Sequence, residues 1–167
     1  MQLCKYKSKA VRIKIQTIFN TLEFQKVKEF LKVISMENQD NKTPKVIGIG
    51  GIFFYSDNPK ETKDWYAKNL GFDINAWGSS SFDSRDLDNP DQINSLQWSP
   101  FPKGDDYFLP SKKDFMINYR VQNIEGLVEQ LKENGVTILD NIETYDYGKF
   151  VHIMDAEGNK IELWESR

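Results

Sequence analysis

VHIMDAEGNKIELWE, residues 151–165, is two alternating apolar runs around a turn. Gly158 and Asn159 tolerate positive φ, so DAEGN reads as the turn of a hairpin. If Asp155 pairs with Asn159, His152 lies opposite Glu162 and Phe150 opposite Trp164. Val151, Ile153, Ile161 and Leu163 then share the other face, and the parity holds in both arms. A one-residue slip would turn every apolar side chain outward, so the register is well specified. Directly facing residues have Cβ atoms about 5 Å apart, which lets the chain's one histidine reach Glu162. Such a pair can be an acid/base couple, two ligands of a metal, or a cross-strand ion pair in a partly wet wall.

Upstream, the chain repeats itself. Asn58, Pro59 and Glu61 combine an N-cap, an N1 proline and an acid placed as in a capping box. Trp65, Tyr66 and Leu70 supply an apolar face, and Gly71 supplies the stop. In the second half Asn123 caps IEGLVEQLKEN. Ile124, Leu127, Val128 and Leu131 fall at helical spacing before Gly135. The two caps are 65 residues apart and the two stops 64. A strand precedes each helix, VIGIGGIFFYS and DFMINYRV. Further strands are expected at about 72–78, 80–87 and 93–100, then at about 136–143, 147–154 and 159–165. One strand–helix–strands unit therefore occurs twice. PFPKGDDYFLPSKK, residues 100–113, reads as the loop between the halves.

The strand at 114–121 alternates Phe115, Ile117, Tyr119 and Val121 with Asp114, Met116, Asn118 and Arg120. The first set is expected against the helices. The second faces away, towards either a cavity or solvent.

Composition narrows the class. With 39% hydrophobic and 28% charged residues in 167, the chain suits one globular domain with a real core. No run approaches the roughly 18 apolar residues of a membrane span. One cysteine, Cys4, excludes an internal disulfide framework and fits a reducing, cytoplasmic setting. One His and one Cys exclude a Cys/His zinc site within one chain. Residues 1–35 carry eight basic and two acidic residues, net +6. The remainder carries fourteen and twenty-three, net −9. An acidic main domain argues against nucleic acid as its partner. Residues 1–45 are expected outside the fold, as a basic leader or as sequence upstream of a start at Met36. Within them, 21–34 could form an amphipathic helix capped by Thr21. The domain is placed at 46–167, with modules 46–100 and 114–166.

The doubled unit, DNPKETKDWYAKNLGF in the first half and YGKFVHIMDAEGNKIELWE at the end resemble the vicinal oxygen chelate superfamily, the glyoxalase, bleomycin-resistance and extradiol-dioxygenase group. The resemblance spans about residues 45–166. It implies an α+β fold of two βαβββ modules, a pair of half-barrels enclosing a cleft. It also implies a homodimer. In the metal enzymes of this group a divalent ion in the cleft acts as a Lewis acid, held by the first and last strands of each module. Carried over, the last-strand ligand matches Glu162. The first-strand positions fall near Gly51, which has no side chain, and Met116, a poor ligand for a hard ion.

The functional expectation is a protein that binds a small organic ligand without a standard metal site. Its cleft would be lined by Phe53, Tyr55, Met116, Asn118, Arg120, His152, Glu162 and Trp164. Aromatic rings offer stacking area and Arg120 a fixed cation. No cofactor is expected. The alternative is a lyase or isomerase acting on a carbonyl compound through His152 and Glu162, with or without a divalent metal. A third reading is a module whose cleft is vestigial and filled by side chains.

Overall fold

The computed structural model describes residues 25–32, 43–87 and 89–167. Of the helix expected at 21–34, residues 25–32 are helical. The rest of that segment, with most of the basic leader, lies outside the described residues. Backbone contacts divide the chain into Met1–Lys42 and Thr43–Arg167. All that follows concerns the second unit. No helix among the described residues is long and apolar enough to cross a membrane.

The doubled unit is present. The first module is β1 (Lys45–Ser56), α1 (Pro59–Leu70), β2 (Ser80–Arg85) and β3 (Ile93–Pro102). The second is β4 (Phe115–Gln122), α2 (Ile124–Glu133), β5 (Thr137–Ile138), β6 (Glu143–Tyr145), β7 (Gly148–Met154) and β8 (Lys160–Ser166). All eight strands join one open sheet in the order β2-β3-β1-β4-β8-β7-β5, with β6 also on β7. Each module pairs its first and last strands in parallel, β1 with β3 and β4 with β8. The modules meet where β1 runs antiparallel to β4. The fold is α+β, and the unclosed sheet leaves a half-barrel-like cleft.

Local chemistry explains the helices. Asn58 Oδ1 accepts from the Glu61 amide at 3.3 Å, and Gly71 ends α1 in the left-handed region. Asn123 Oδ1 accepts from the Gly126 amide at 3.1 Å. The core lies between α2 and the β4–β8–β7 part of the sheet. Ile124 and Val128 are buried there against Val121, Val151, Ile153 and Leu163. Each such side chain contributes about 1.5–3 kcal/mol.

Three expectations needed correction. Residues 72–78 form no strand; Asn75 instead organises a turn, its side chain accepting from the amides of Trp77 and Ser79. The strand expected at 136–143 is broken into β5 and β6. Of the apolar face proposed for α1, only Tyr66 packs inward, against Trp98 and Phe72, while Trp65 and Leu70 stay exposed.

Candidate functional site

The face of the sheet opposite the helices is ordered in cross-strand rows. Along one row Gln97 pairs with Gly51, Gly51 with Asn118, Asn118 with Glu162, and Glu162 with His152. Two residues along the strands, Gly48 pairs with Arg120, Arg120 with Trp164, Trp164 with Phe150, and Phe150 with Glu143. The hairpin register read from the sequence, His152 opposite Glu162 and Phe150 opposite Trp164, is the one the strands adopt.

Glu162 is the centre of the first row and is 4% exposed. Its Oε1 accepts from Asn118 Nδ2 at 2.6 Å. Its Oε2 accepts from Tyr107 Oη at 2.5 Å and meets His152 Nε2 at 3.0 Å. Burial alone would raise its carboxyl. The hydrogen bonds from His152, Tyr107 and Asn118 outweigh burial and hold it below the usual carboxylate range. The other ring nitrogen of His152 meets Asp140 Oδ2 at 2.6 Å. Burial opposes the imidazolium, but the bonds to Glu162 and Asp140 prevail and raise its pKa. Tyr107 stays a phenol, since burial and the adjacent Glu162 charge both push its pKa upward. Asp140 and Tyr107 escaped the sequence reading. They lie in irregular segments, where no periodicity tells which way a side chain points.

A third set of residues closes one end of this face. Met116 and Phe108 are fully buried, Lys160 is 8% exposed, and Tyr55 stacks on Phe108 at 4.3 Å. Lys160 Nζ donates to the Tyr107 carbonyl at 2.6 Å, and Tyr55 Oη donates to the Asp105 carbonyl at 2.5 Å. Tyr107 stacks on Phe101, whose ring also meets Phe53 edge-on. Met116, expected to line an open cleft, is therefore fully buried, and Tyr55 is covered by Phe108 of the 103–112 connection.

The other end is different. Gly48 and Gly50 give β1 a floor with no side chains, and Arg120 lies along it. A Cβ on Gly48 would stand 2.5 Å from Arg120 Nη2. One on Gly50 would stand 2.1 Å from Asn118 Oδ1, 2.9 Å from Arg120 Cγ and 3.0 Å from Trp164 Cε3. Arg120 Nε and Asn118 Oδ1 are both buried without a hydrogen-bond partner. Beside them stands an aromatic group. Phe150 and Trp164 are parallel at 5.9 Å, Tyr145 and Tyr147 are parallel at 5.4 Å, and Phe150 stands edge-on to both tyrosines.

The row Gln97–Gly51–Asn118–Glu162 draws one residue from the first and the last strand of each module, where the resemblance placed a divalent ion. Asn118, rather than Met116, shares the row with Glu162. These residues do not fit such an ion. Gly51 offers no side chain, the two amides bring no charge although Asn118 Oδ1 is an open acceptor, and the row's one carboxylate is already engaged by Asn118, Tyr107 and His152, bonds that a cation would have to displace. His152, the possible substitute, has a carboxylate on each ring nitrogen. Among the described residues no three His, Cys, Asp or Glu side chains gather as a ligand set.

Comparison with known proteins agrees with this fold. The family model described as the Glyoxalase/Bleomycin resistance protein/Dioxygenase superfamily matches residues 48–163. An uncharacterized protein, YetH of Bacillus subtilis (strain 168), is 25% identical over 117 residues, 70% of this chain and 97% of that protein. A Streptomyces coelicolor methylmalonyl-CoA epimerase variant in complex with 2-nitronate-propionyl-CoA superposes with a TM-score of 0.53 at 13% identity, over 73% of this chain and 99% of that one. A methylmalonyl-CoA epimerase in complex with methylmalonyl-CoA and NH4+ gives 0.53 at 15% identity, over 73% and 96%. At these identities the likeness of the solved structures is one of fold.

Proposed function

The chain belongs to the Glyoxalase/Bleomycin resistance protein/Dioxygenase superfamily, and from that premise we propose that it binds a small organic ligand on its cleft face without a standard metal site. The observation that carries this reading is Arg120. Its side chain lies over the glycine floor with Nε buried and without an acceptor, and Asp86 is the carboxylate that acts on its charge. A buried guanidinium N–H without an acceptor is costly, and a ligand acceptor supplies what the protein leaves open. Neighbouring rings add apolar contact area, the usual composition of a small-molecule site.

Glu162 and His152 serve this reading as a supporting wall. The carboxylate is ionised, buried and saturated with donors, so it holds Tyr107 and Asn118 in place. The test is a thermal-shift panel of small organic acids, amines and neutral aromatics on the full chain. At least one compound is expected to raise the melting temperature in the wild type and to lose most of that effect in Arg120→Gln. Equal responses in both proteins across the panel would end the proposal.

One observation favours the alternative of a lyase or isomerase acting on a carbonyl compound. Asp140, His152 and Glu162 form an unbroken carboxylate–imidazole–carboxylate chain. In that reading Asp140 orients the ring and the His152–Glu162 couple moves a proton. Glu162 must first surrender the Tyr107 hydroxyl that covers it. Turnover of a carbonyl substrate that vanishes in a folded His152→Ala variant selects this alternative.

A further inference from the structure

The Arg120 end of the cleft face carries more information than the presence of a cation. Arg120 and Trp164 are directly paired across β4 and β8, and atoms of both lie within 3.0 Å of one point above Gly50. A ring lying on Trp164 therefore has the Arg120 stem beside it, with the guanidinium further along over Gly48. From Trp164 the aromatic surface continues through Phe150 to Tyr145 and Tyr147, which are 43% and 63% exposed. Exposed tyrosines held parallel to each other, with a phenylalanine set edge-on beneath, form a rigid wall with flat faces. Flat faces reward a flat partner beyond the area they bury. A guanidinium is a planar fork of donors whose geometry matches a carboxylate.

Charges nearby limit the ligand's own charge. Asp86 acts electrostatically on Arg120, and its carboxylate also accepts from Asn94 Nδ2 at 3.1 Å and the Asn89 amide at 3.0 Å. Glu143, at the far end of the row, accepts from Tyr145 Oη. A second negative charge on the ligand would face one of these two acids.

We propose that this end of the face binds a planar aromatic monocarboxylate, its ring parallel to Trp164 and Phe150 with Tyr147 edge-on to it, and its carboxylate on Arg120. The proposal rests on the small-ligand reading above and narrows it to one chemical class.

Isothermal titration of the full chain with naphthalene-2-carboxylate tests it, against cyclohexanecarboxylate, which keeps the charge and loses the plane, and naphthalene-2-carboxamide, which keeps the plane and loses the charge. The planar acid is expected to bind at least tenfold tighter than either. Arg120→Gln should weaken it at least tenfold, and Tyr147→Ala, at an exposed position where the fold is safe, several-fold. Equal affinity for acid and carboxamide, equal affinity for naphthalene and cyclohexane, or no binding at millimolar concentration overturns the proposal. If naphthalene-2-carboxylate fails while another compound in the thermal-shift panel still depends on Arg120, the ligand class is wrong and the small-ligand reading stands. If no compound depends on Arg120, both fall.

Discussion

At Glu162 three hydrogen bonds favour the ionised carboxylate against its burial, and the two carboxylates that His152 bridges favour its charged form against the same burial. The two groups shift in opposite directions, which sets a pH window. His152 is raised above its ordinary 6.5, so its contribution to stability is complete below that value and is lost as pH rises through its folded pKa. Glu162 is lowered below its ordinary 4.5, so its contribution is complete above that value and is lost as pH falls through its folded pKa. The network therefore stabilises most between the two ordinary values. The melting temperature is expected to fall as pH rises beyond the ordinary histidine value of 6.5, and more steeply in the wild type than in His152→Gln. Parallel curves for the two proteins would show that the imidazole is not charged in the fold. The meeting of His152 and Glu162 was legible in the sequence, because strand parity fixes it in two arms at once. Asp140 and Tyr107 were not, because tertiary folding alone brings their segments to the pair.

The connection between the modules shows what a loop assignment conceals at the level of elements. The Pro, Gly and Lys of residues 100–113 predict irregular backbone; 100–102 instead complete β3, and most of residues 103–112 is irregular. Its two aromatics nevertheless turn inward, and Phe108 is completely buried. The segment is tied down by Tyr107 Oη on Glu162, Lys160 Nζ on the Tyr107 carbonyl, and Ser111 Oγ on the Gly158 carbonyl at 2.7 Å. These side chains cover Tyr55 and Glu162. Tyr107→Phe keeps the ring stacked on Phe101 and removes only the hydroxyl that faces the carboxylate. A hydrogen bond to a charged group is worth about 1.5–3 kcal/mol, so urea unfolding should show a loss of about 2 kcal/mol. A change below a few tenths would mean that aromatic packing alone holds the segment. The helices were easier to read, since Asn58, Gly71 and Asn123 each act through a bond within a few residues. The strand expected at 72–78 shows the limit of such local evidence: GFDI alternates convincingly, yet Asn75 captures the backbone for a turn.

Over the whole molecule the repeat in the sequence becomes a sheet with two matching halves, but the halves are unequally supported. The second module holds the large apolar cluster found among the described residues, with α2 covering β4, β8 and β7. In the first module α1 has no buried residue, and the side chains beneath it are a smaller aromatic group around Trp98. Strand β2 is an edge strand with five of its six residues exposed. Pairing of β1 with β4 is therefore the support on which the first module depends, and that pairing carries two register shifts at Val46/Gly48 and Ile49/Gly51. The same irregularity places the glycines of β1 under Arg120 and Asn118, so the feature that lets these side chains approach the strand also weakens the joint. Regions with few buried apolar contacts open at lower free energy than the core. Hydrogen exchange should then run at least tenfold faster through β2 and β3 than through β4, β7 and β8. A ligand seated on Arg120 and Trp164 touches the joint only through the glycine floor, and should slow exchange most in β1, β4 and β8. Uniform exchange across both modules would mean that the sheet opens as one unit and that the β1–β4 joint is as strong as the core beneath α2.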